Sequence, residues 1–165
     1  MIRILGSKGL AVSDEKSIVT NRKAWHEYEI IDSQEAGIVL VGSEVKSLRA
    51  GKANMGDAYA RVINGEVWLI GLHISPYKEA TDMNHDPLRD RKLLLHRTEI
   101  KKLARRVDEK GFTLIPLRLY FRRNKAKLEL GVARGKRQYD KKHAIAEKDA
   151  KRDMEREQKK VKFKL

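Results

Sequence analysis

Between residues 58 and 70, two short runs, Ala58-Tyr59-Ala60-Arg61-Val62-Ile63 and Glu66-Val67-Trp68-Leu69-Ile70, are separated only by Asn64-Gly65. Asn-Gly accepts positive φ at both central positions of a type I′ turn, so this stretch predicts a two-residue β-hairpin. Period-two patterns dominate the rest of the body as well. His26-Glu27-Tyr28-Glu29-Ile30-Ile31-Asp32 alternates, and Gly37-Ile38-Val39-Leu40-Val41 follows a turn-like Glu35-Ala36-Gly37. Two long strands, residues 113–121 and 126–132, close the body around Arg122-Arg123-Asn124-Lys125. Trp68 is expected in the core beside Leu69 and Ile70, while Trp25, opposite His26, carries no assignment.

Two segments break the alternation. Ser43 can cap a short helix in which Val45 and Leu48 are three apart and Gly51 ends the turn. From Thr98 as N-cap, Ile100, Leu103, Ala104 and Val107 recur at helical spacing up to Gly111, with Lys101, Lys102, Arg105 and Arg106 on the other face. About six short strands with one helix before the final pair predict a mainly β fold, a small antiparallel OB-like barrel with one or more short helices. Pro116 in the fifth strand implies an edge or a bulge. The 165 residues are one domain's worth, and 41% hydrophobic content suffices for a single core. We expect a flexible N-terminal extension over residues 1–19, the barrel over 20–134, and a basic tail over 135–165.

Lys and Arg number 37 against 23 Asp and Glu, a net charge of +14 that predicts a polyanionic partner. Residues 134–165 hold 13 Lys and Arg against 6 Asp and Glu, so half of the net charge sits in the last fifth of the chain. The tail has only scattered apolar residues and is rich in helix formers, which predicts an arm that is disordered until bound and then helical. No run of about 18 apolar residues is present, and Arg3 precedes any signal-like apolar stretch, so a cytoplasmic protein without membrane insertion is expected. The absence of cysteine excludes disulfides, thiolate metal sites and cysteine nucleophiles.

Catalytic motifs are sparse. His26, His73, His85, His96 and His143 lack metal-ligand spacing, and neither a P-loop nor a Gly-x-Ser-x-Gly is found. Asp32 followed by Glu44-Val45-Lys46 matches the Asp…Glu-x-Lys arrangement of some metal-dependent nucleases. In a capped helical turn, however, the two charges of Glu-x-Lys splay apart, whereas on a strand they would share a face. No enzyme, cofactor or metal is expected.

Several ordered segments together resemble the SmpB family, small protein B, which binds the SsrA RNA (tmRNA). They are Asn21-Arg22-Lys23-Ala24-x-His26-x-Tyr28, Glu35-Ala36-Gly37-Ile38-x-Leu40-x-Gly42-x-Glu44-Val45-Lys46-Ser47-x-Arg49, and Asn54-Met55-x-Asp57. His73-Ile74-Ser75-Pro76-Tyr77, Asn84-His85-Asp86-Pro87-x-Arg89-x-Arg91-Lys92-Leu93-Leu94-Leu95 and Gly135-Lys136-Arg137-x-Tyr139-Asp140-Lys141 follow. The resemblance implies an OB-fold barrel with a basic tail that acts as an RNA-binding adaptor of trans-translation and catalyses nothing. Such a protein binds the tRNA-like domain of aminoacylated tmRNA and accompanies it, with elongation factor Tu and GTP, to ribosomes stalled without a stop codon. The nascent chain is then tagged for proteolysis. A monomer is expected. A metal-dependent nuclease and a permanent rRNA-binding protein of the ribosome stand beside this reading as alternatives.

The resemblance implies an RNA-contacting segment at Asn21, Arg22 and Lys23, before the first strand. His26 and Tyr28 would share a strand face and stack on splayed bases, with core packing the other option for Tyr28. Glu35, Leu94 and Lys127 match family positions for tmRNA binding. A carboxylate facing an anionic partner is informative, because it repels unless it accepts from a base amino group or orients a cation. Leu94 alone would be read as core. Arg89, Arg91 and Lys92 read as phosphate contacts, with at least one held structurally by Asp86 or Asp90. In the tail, Lys136 and Arg137 lead to Tyr139, which would stack on a decoding-centre nucleotide, and to Asp140, Lys141 and Lys142, which would engage rRNA of the small subunit. Lys148, Lys151, Arg152 and Arg156 would then line the empty message channel. Lys142 stands where Arg is commoner, and Lys cannot bind phosphate bidentately.

Overall fold

The computed structural model describes residues 15–80, 84–108, 111–136 and residues 151, 152 and 154. In chain order these form β1 (Glu15–Thr20), α1 (Arg22–Glu27), β2 (Tyr28–Ile38), α2 (Gly42–Arg49), β3 (Ala53–Asn54), β4 (Tyr59–Ile63), β5 (Glu66–Ile70), β6 (His73–Ile74), β7 (Arg91–Leu94), α3 (Arg97–Asp108), β8 (Phe112–Arg122) and β9 (Lys125–Gly135). β4, β5, β7, β2, β9 and β8 pair antiparallel in that order, and the Ala60–Leu114 pair returns from β8 to β4. Six strands therefore close a barrel, which removes free sheet edges. β1 lies outside the ring, paired with the C-terminal half of β8.

Two tight turns set the register. Asn64 and Gly65 take φ of 51° and 74° between β4 and β5, as the sequence predicts. Arg123 and Asn124 do the same between β8 and β9, at 47° and 60°. The barrel is filled by Leu48, Val67, Leu69, Leu72, Ile74, Leu93, Leu114, Leu119, Leu128 and Leu130, all essentially buried.

The irregularity at Pro116 is a bulge, since the β8–β9 register shifts between Pro116 and Arg118. Its consequence is a change of phase along β8. Before it Leu114 points into the barrel; after it Leu119 and Phe121 do. Ile115 and Leu117 join Ala24 and Ala133 in a second, small apolar cluster outside the ring, beneath α1. The same phase change puts Arg118, Tyr120 and Arg122 together on the outer face.

Several local expectations need correction. The alternation at residues 26–32 does not begin a strand at His26, because Asn21 opens α1 by accepting from Ala24 N at 3.0 Å, and β2 starts only at Tyr28. Burial of Ala24 in the outer cluster supplies the packing that a strand pattern hides. Residues 35–37 are no turn; β2 runs through them, paired with β9 and then β7. Ser43 does not cap α2. Val41 precedes that helix, its N–H bonds Glu44 Oε2 at 2.9 Å, and Ser43 Oγ instead meets His85 Nδ1 at 2.9 Å. α3 begins at Arg97, before Thr98, and Glu99 accepts from His96 N at 2.8 Å. Trp68 lies on the outward face of β5, half-buried, between the inward Val67 and Leu69. Residues 15–19, expected in the N-terminal extension, belong to β1; residues 1–14 lie outside the described residues.

Candidate nucleic-acid interface

Strand register assembles one groove. Across the barrel wall, Tyr120 pairs with Lys127, Lys127 with Gly37, and Gly37 with Leu94. Gly37 leaves the floor open: a Cβ there would sit 3.1 Å from Leu94 Cβ. The resulting cavity, about 760 Å³, is lined by Glu35, Leu94, His96, Lys125 and Lys127 among others. Leu94 is 53% exposed, because β7 sends Leu93 inward and its neighbour out. An exposed leucine beside lysines offers apolar contact to a base or sugar next to cations for phosphate.

Glu35 is held from one side. Its Oε2 accepts from Tyr120 Oη at 2.5 Å and from Arg122 Nη1 at 2.7 Å, while Oε1 lies 3.5 Å from Lys127 Nζ. The Tyr120 hydrogen bond, followed by Arg122 and Lys127, holds the carboxyl below the usual range in spite of burial. Arg122 is bound in turn by Glu15 of β1 through Nε at 2.9 Å, and Arg118 lies 4.3 Å over the Tyr120 ring. Sequence reasoning missed Glu15, Tyr120 and Arg122. The available signal was the shared face of residues 118, 120 and 122, which the period-two rule gives once the Pro116 bulge is counted.

A second cationic surface surrounds α1. Arg22, Lys23 and His26 are exposed, Trp25 is 53% exposed, and Lys23 meets Asp57 at 2.7 Å. Lys136 docks here through its N–H to Glu27 O at 2.9 Å and its Nζ to Trp25 O at 3.1 Å, which places the residue after β9 beside α1. His26 and Tyr28 do not share a strand face: His26 is on α1, and Tyr28 is half-buried against the outer cluster.

Two of the expected RNA contacts are structural. Asn21 is 3% exposed; besides capping α1, its Nδ2 donates to Met55 O at 3.2 Å and Pro116 O at 3.1 Å, so both amide hydrogens are taken within the fold. Arg91 is fully buried. It donates to Glu44 Oε1 at 2.8 Å and to the carbonyls of Leu72, Arg89 and Pro87 at 2.5, 3.0 and 3.1 Å. Arg89 is partly exposed and also clasps Glu44, at 2.9 and 2.5 Å, and Lys92 pairs with Glu66. The partner of the arginines is thus Glu44, where Asp86 or Asp90 was expected. Glu44 is consumed by this pairing and by the α2 terminus, while Asp32 pairs with Lys102 at 3.2 Å.

Among the described residues no group of three or more His, Asp or Glu is placed to hold a metal ion, and no helix is long and apolar enough to cross a membrane. Lys151 and Arg152 are helical and exposed; Arg137, Tyr139, Asp140, Lys141, Lys142 and Lys148 lie outside the described residues.

Comparison with known proteins identifies the family. The family model described as SmpB protein matches residues 18–160. An SsrA-binding protein of Desulfitobacterium hafniense (strain DSM 10664 / DCB-2) is 57% identical over 141 residues, covering 86% of this chain and 90% of that protein. One from Thermobifida fusca (strain YX) is 58% identical over 141 residues, covering 86% and 88%. A chain of the solved structure described as "tmRNA-SmpB: a journey to the center of the bacterial ribosome" superposes with a TM-score of 0.63 at 50% identity, covering 77% of this chain and 93% of that one. With the family model spanning most of its length and such relatives beside it, the chain belongs to the SmpB protein family.

Proposed function

We propose that the protein is an RNA-binding adaptor of trans-translation that binds the tRNA-like domain of tmRNA and delivers it to stalled ribosomes. The observation that carries this reading is the convergence of Glu35, Leu94 and Lys127, distant in sequence, on one groove of a basic barrel. The groove takes the tRNA-like domain. The cationic surface around α1, where the tail leaves, faces the small ribosomal subunit, and the tail occupies the decoding centre and the empty message channel. Its ordering cost is recovered only where that channel is vacant, which selects stalled ribosomes. Elongation factor Tu with GTP joins through the aminoacylated tmRNA. The protein acts as a cytoplasmic monomer and an adaptor without chemistry of its own.

Exposed cations at Arg22, Lys23, Lys101, Arg105 and Lys125, with half-exposed Lys127, make phosphate contact the main source of affinity. With about six phosphates neutralised on binding, affinity for the tRNA-like domain falls roughly a thousandfold as salt rises from about 50 to 200 mM. A filter-binding series across that range checks this; a flat response refutes phosphate-led binding.

A further inference from the structure

We propose that Tyr120, supported by Arg122, is the positioning residue of the tmRNA groove: it fixes Glu35 through Oε2, so that Oε1 faces the RNA as an acceptor for a base amino group. The proposal rests on the reading of Glu35 as an RNA-contacting residue.

A carboxylate has about four acceptor sites. In Glu35 the two donors converge on Oε2, and Oε1 is left with only Lys127 Nζ at 3.5 Å. A long acidic side chain free to rotate would swing away from approaching phosphate. Arg122 and Lys127 are cations that incoming phosphates draw toward themselves. Tyr120 is not. It is neutral, its residue is 2% exposed, and its ring is held beneath the Arg118 guanidinium at 4.3 Å. Burial and then the bond to Glu35 push the phenol far above its ordinary value, so it remains a donor at every physiological pH. The aim of Oε1 therefore survives the arrival of the RNA, and that aim distinguishes a base edge from a backbone. β1 buttresses the arrangement from behind, since Glu15 grips Arg122 on its far side.

The test uses the full chain, the tRNA-like domain as probe and alanine tRNA as competitor, with Tyr120→Phe, Glu35→Gln, the double variant and Arg122→Gln. Tyr120→Phe keeps the ring and loses one hydroxyl. It lowers selectivity for the tRNA-like domain roughly tenfold, the loss expected of a hydrogen bond to a charged group. Binding to the competitor and the salt slope stay as in the parent, and in the Glu35→Gln background Tyr120→Phe adds nothing.

A spectroscopic readout separates positioning from packing. In protein carrying carbon-13 glutamate, the Glu35 carboxyl of Tyr120→Phe titrates at higher pH than in the parent. The other charged groups around it are unchanged: Arg122 on β8, Lys125, Lys127 and Glu129 on β9, Glu15 beyond Arg122, and His96 and Glu99 across the groove. Selectivity equal to the parent in Tyr120→Phe, or losses that add in the double variant, overturns the proposal. If Tyr120→Phe does not fold, Arg122→Gln, at a half-exposed position, carries the same test: its selectivity loss vanishes beside Glu35→Gln if it acts on Oε2 and persists if it does not. Full selectivity in Glu35→Gln overturns the assignment of Glu35 itself.

Discussion

A protein ending at Gln138 retains nearly the full affinity for the tRNA-like domain and supports no tagging of nascent chains. The expectation follows from where charge and fold are separated. The barrel closes without the tail, because β9 ends at Gly135 and pairs with β2 and β8 along its whole length. Glu35, Leu94 and Lys127 are fixed by that pairing alone. The deletion removes Tyr139, Asp140, Lys141, Lys142 and the cations beyond, and leaves Lys136 docked on α1. Gel-shift titration measures the first activity, and a reconstituted stalled-ribosome assay with purified components measures the second. Joint loss of both activities contradicts the division of labour between barrel and tail.

Arg91→Ala costs about 3–5 kcal/mol of stability, the penalty of removing one partner from a buried ion pair. This side chain donates four hydrogen bonds, one to Glu44 and three to the carbonyls of Leu72, Pro87 and Arg89, and Arg91→Ala leaves all four acceptors without that partner. Against a total of roughly 5–15 kcal/mol for a domain, that loss unfolds a large fraction of the protein near its growth temperature. Urea unfolding gives the magnitude. The same variant tells a structural role from an RNA contact: restored to the folded state by cooling or an osmolyte, Arg91→Ala binds the tRNA-like domain as the parent does. Weak binding by fully folded Arg91→Ala restores Arg91 to the interface. The cluster also has a pH signature. Burial pushes the Glu44 carboxyl up, but the bonds from Arg89, Val41 N and Arg91 outweigh it and leave the group below its ordinary 4.5. A depressed carboxylate contributes stability that is present above pH 4.5 and lost as pH falls through the folded value, so the parent weakens in acid over that window.

Elements whose signals are local were legible in the sequence. Asn64-Gly65 specifies its own turn, the apolar spacing of α3 needs no partner to be seen, and Pro116, which lacks an N–H, announces an edge or a bulge, of which the register shows the bulge. α1 was misread because His26 to Asp32 satisfies the strand period while the feature that decides, Ala24 packing on Leu117 and Ala133, is made by residues about 90 positions or more away. The arginines were ambiguous for a related reason. Nothing near Arg89 and Arg91 in sequence identifies Glu44, 45 and 47 residues earlier, as their common partner. Leu94 reads as core by hydropathy alone, and only the inward turn of Leu93 sets it outside. The resemblance supplied Glu35, Leu94 and Lys127 as separate positions; their convergence, and Tyr120 behind them, comes from the strand register.

The barrel is proposed to recognise the tRNA-like domain selectively. Its most direct test is a gel-shift titration of the purified protein against that domain of its own organism's tmRNA, with alanine tRNA as competitor, at low and physiological salt. Retention of the tRNA-like domain at physiological salt under excess alanine tRNA is the predicted result. Equal binding of the two RNAs that disappears as salt rises contradicts it, and reduces the barrel to a basic surface without a site.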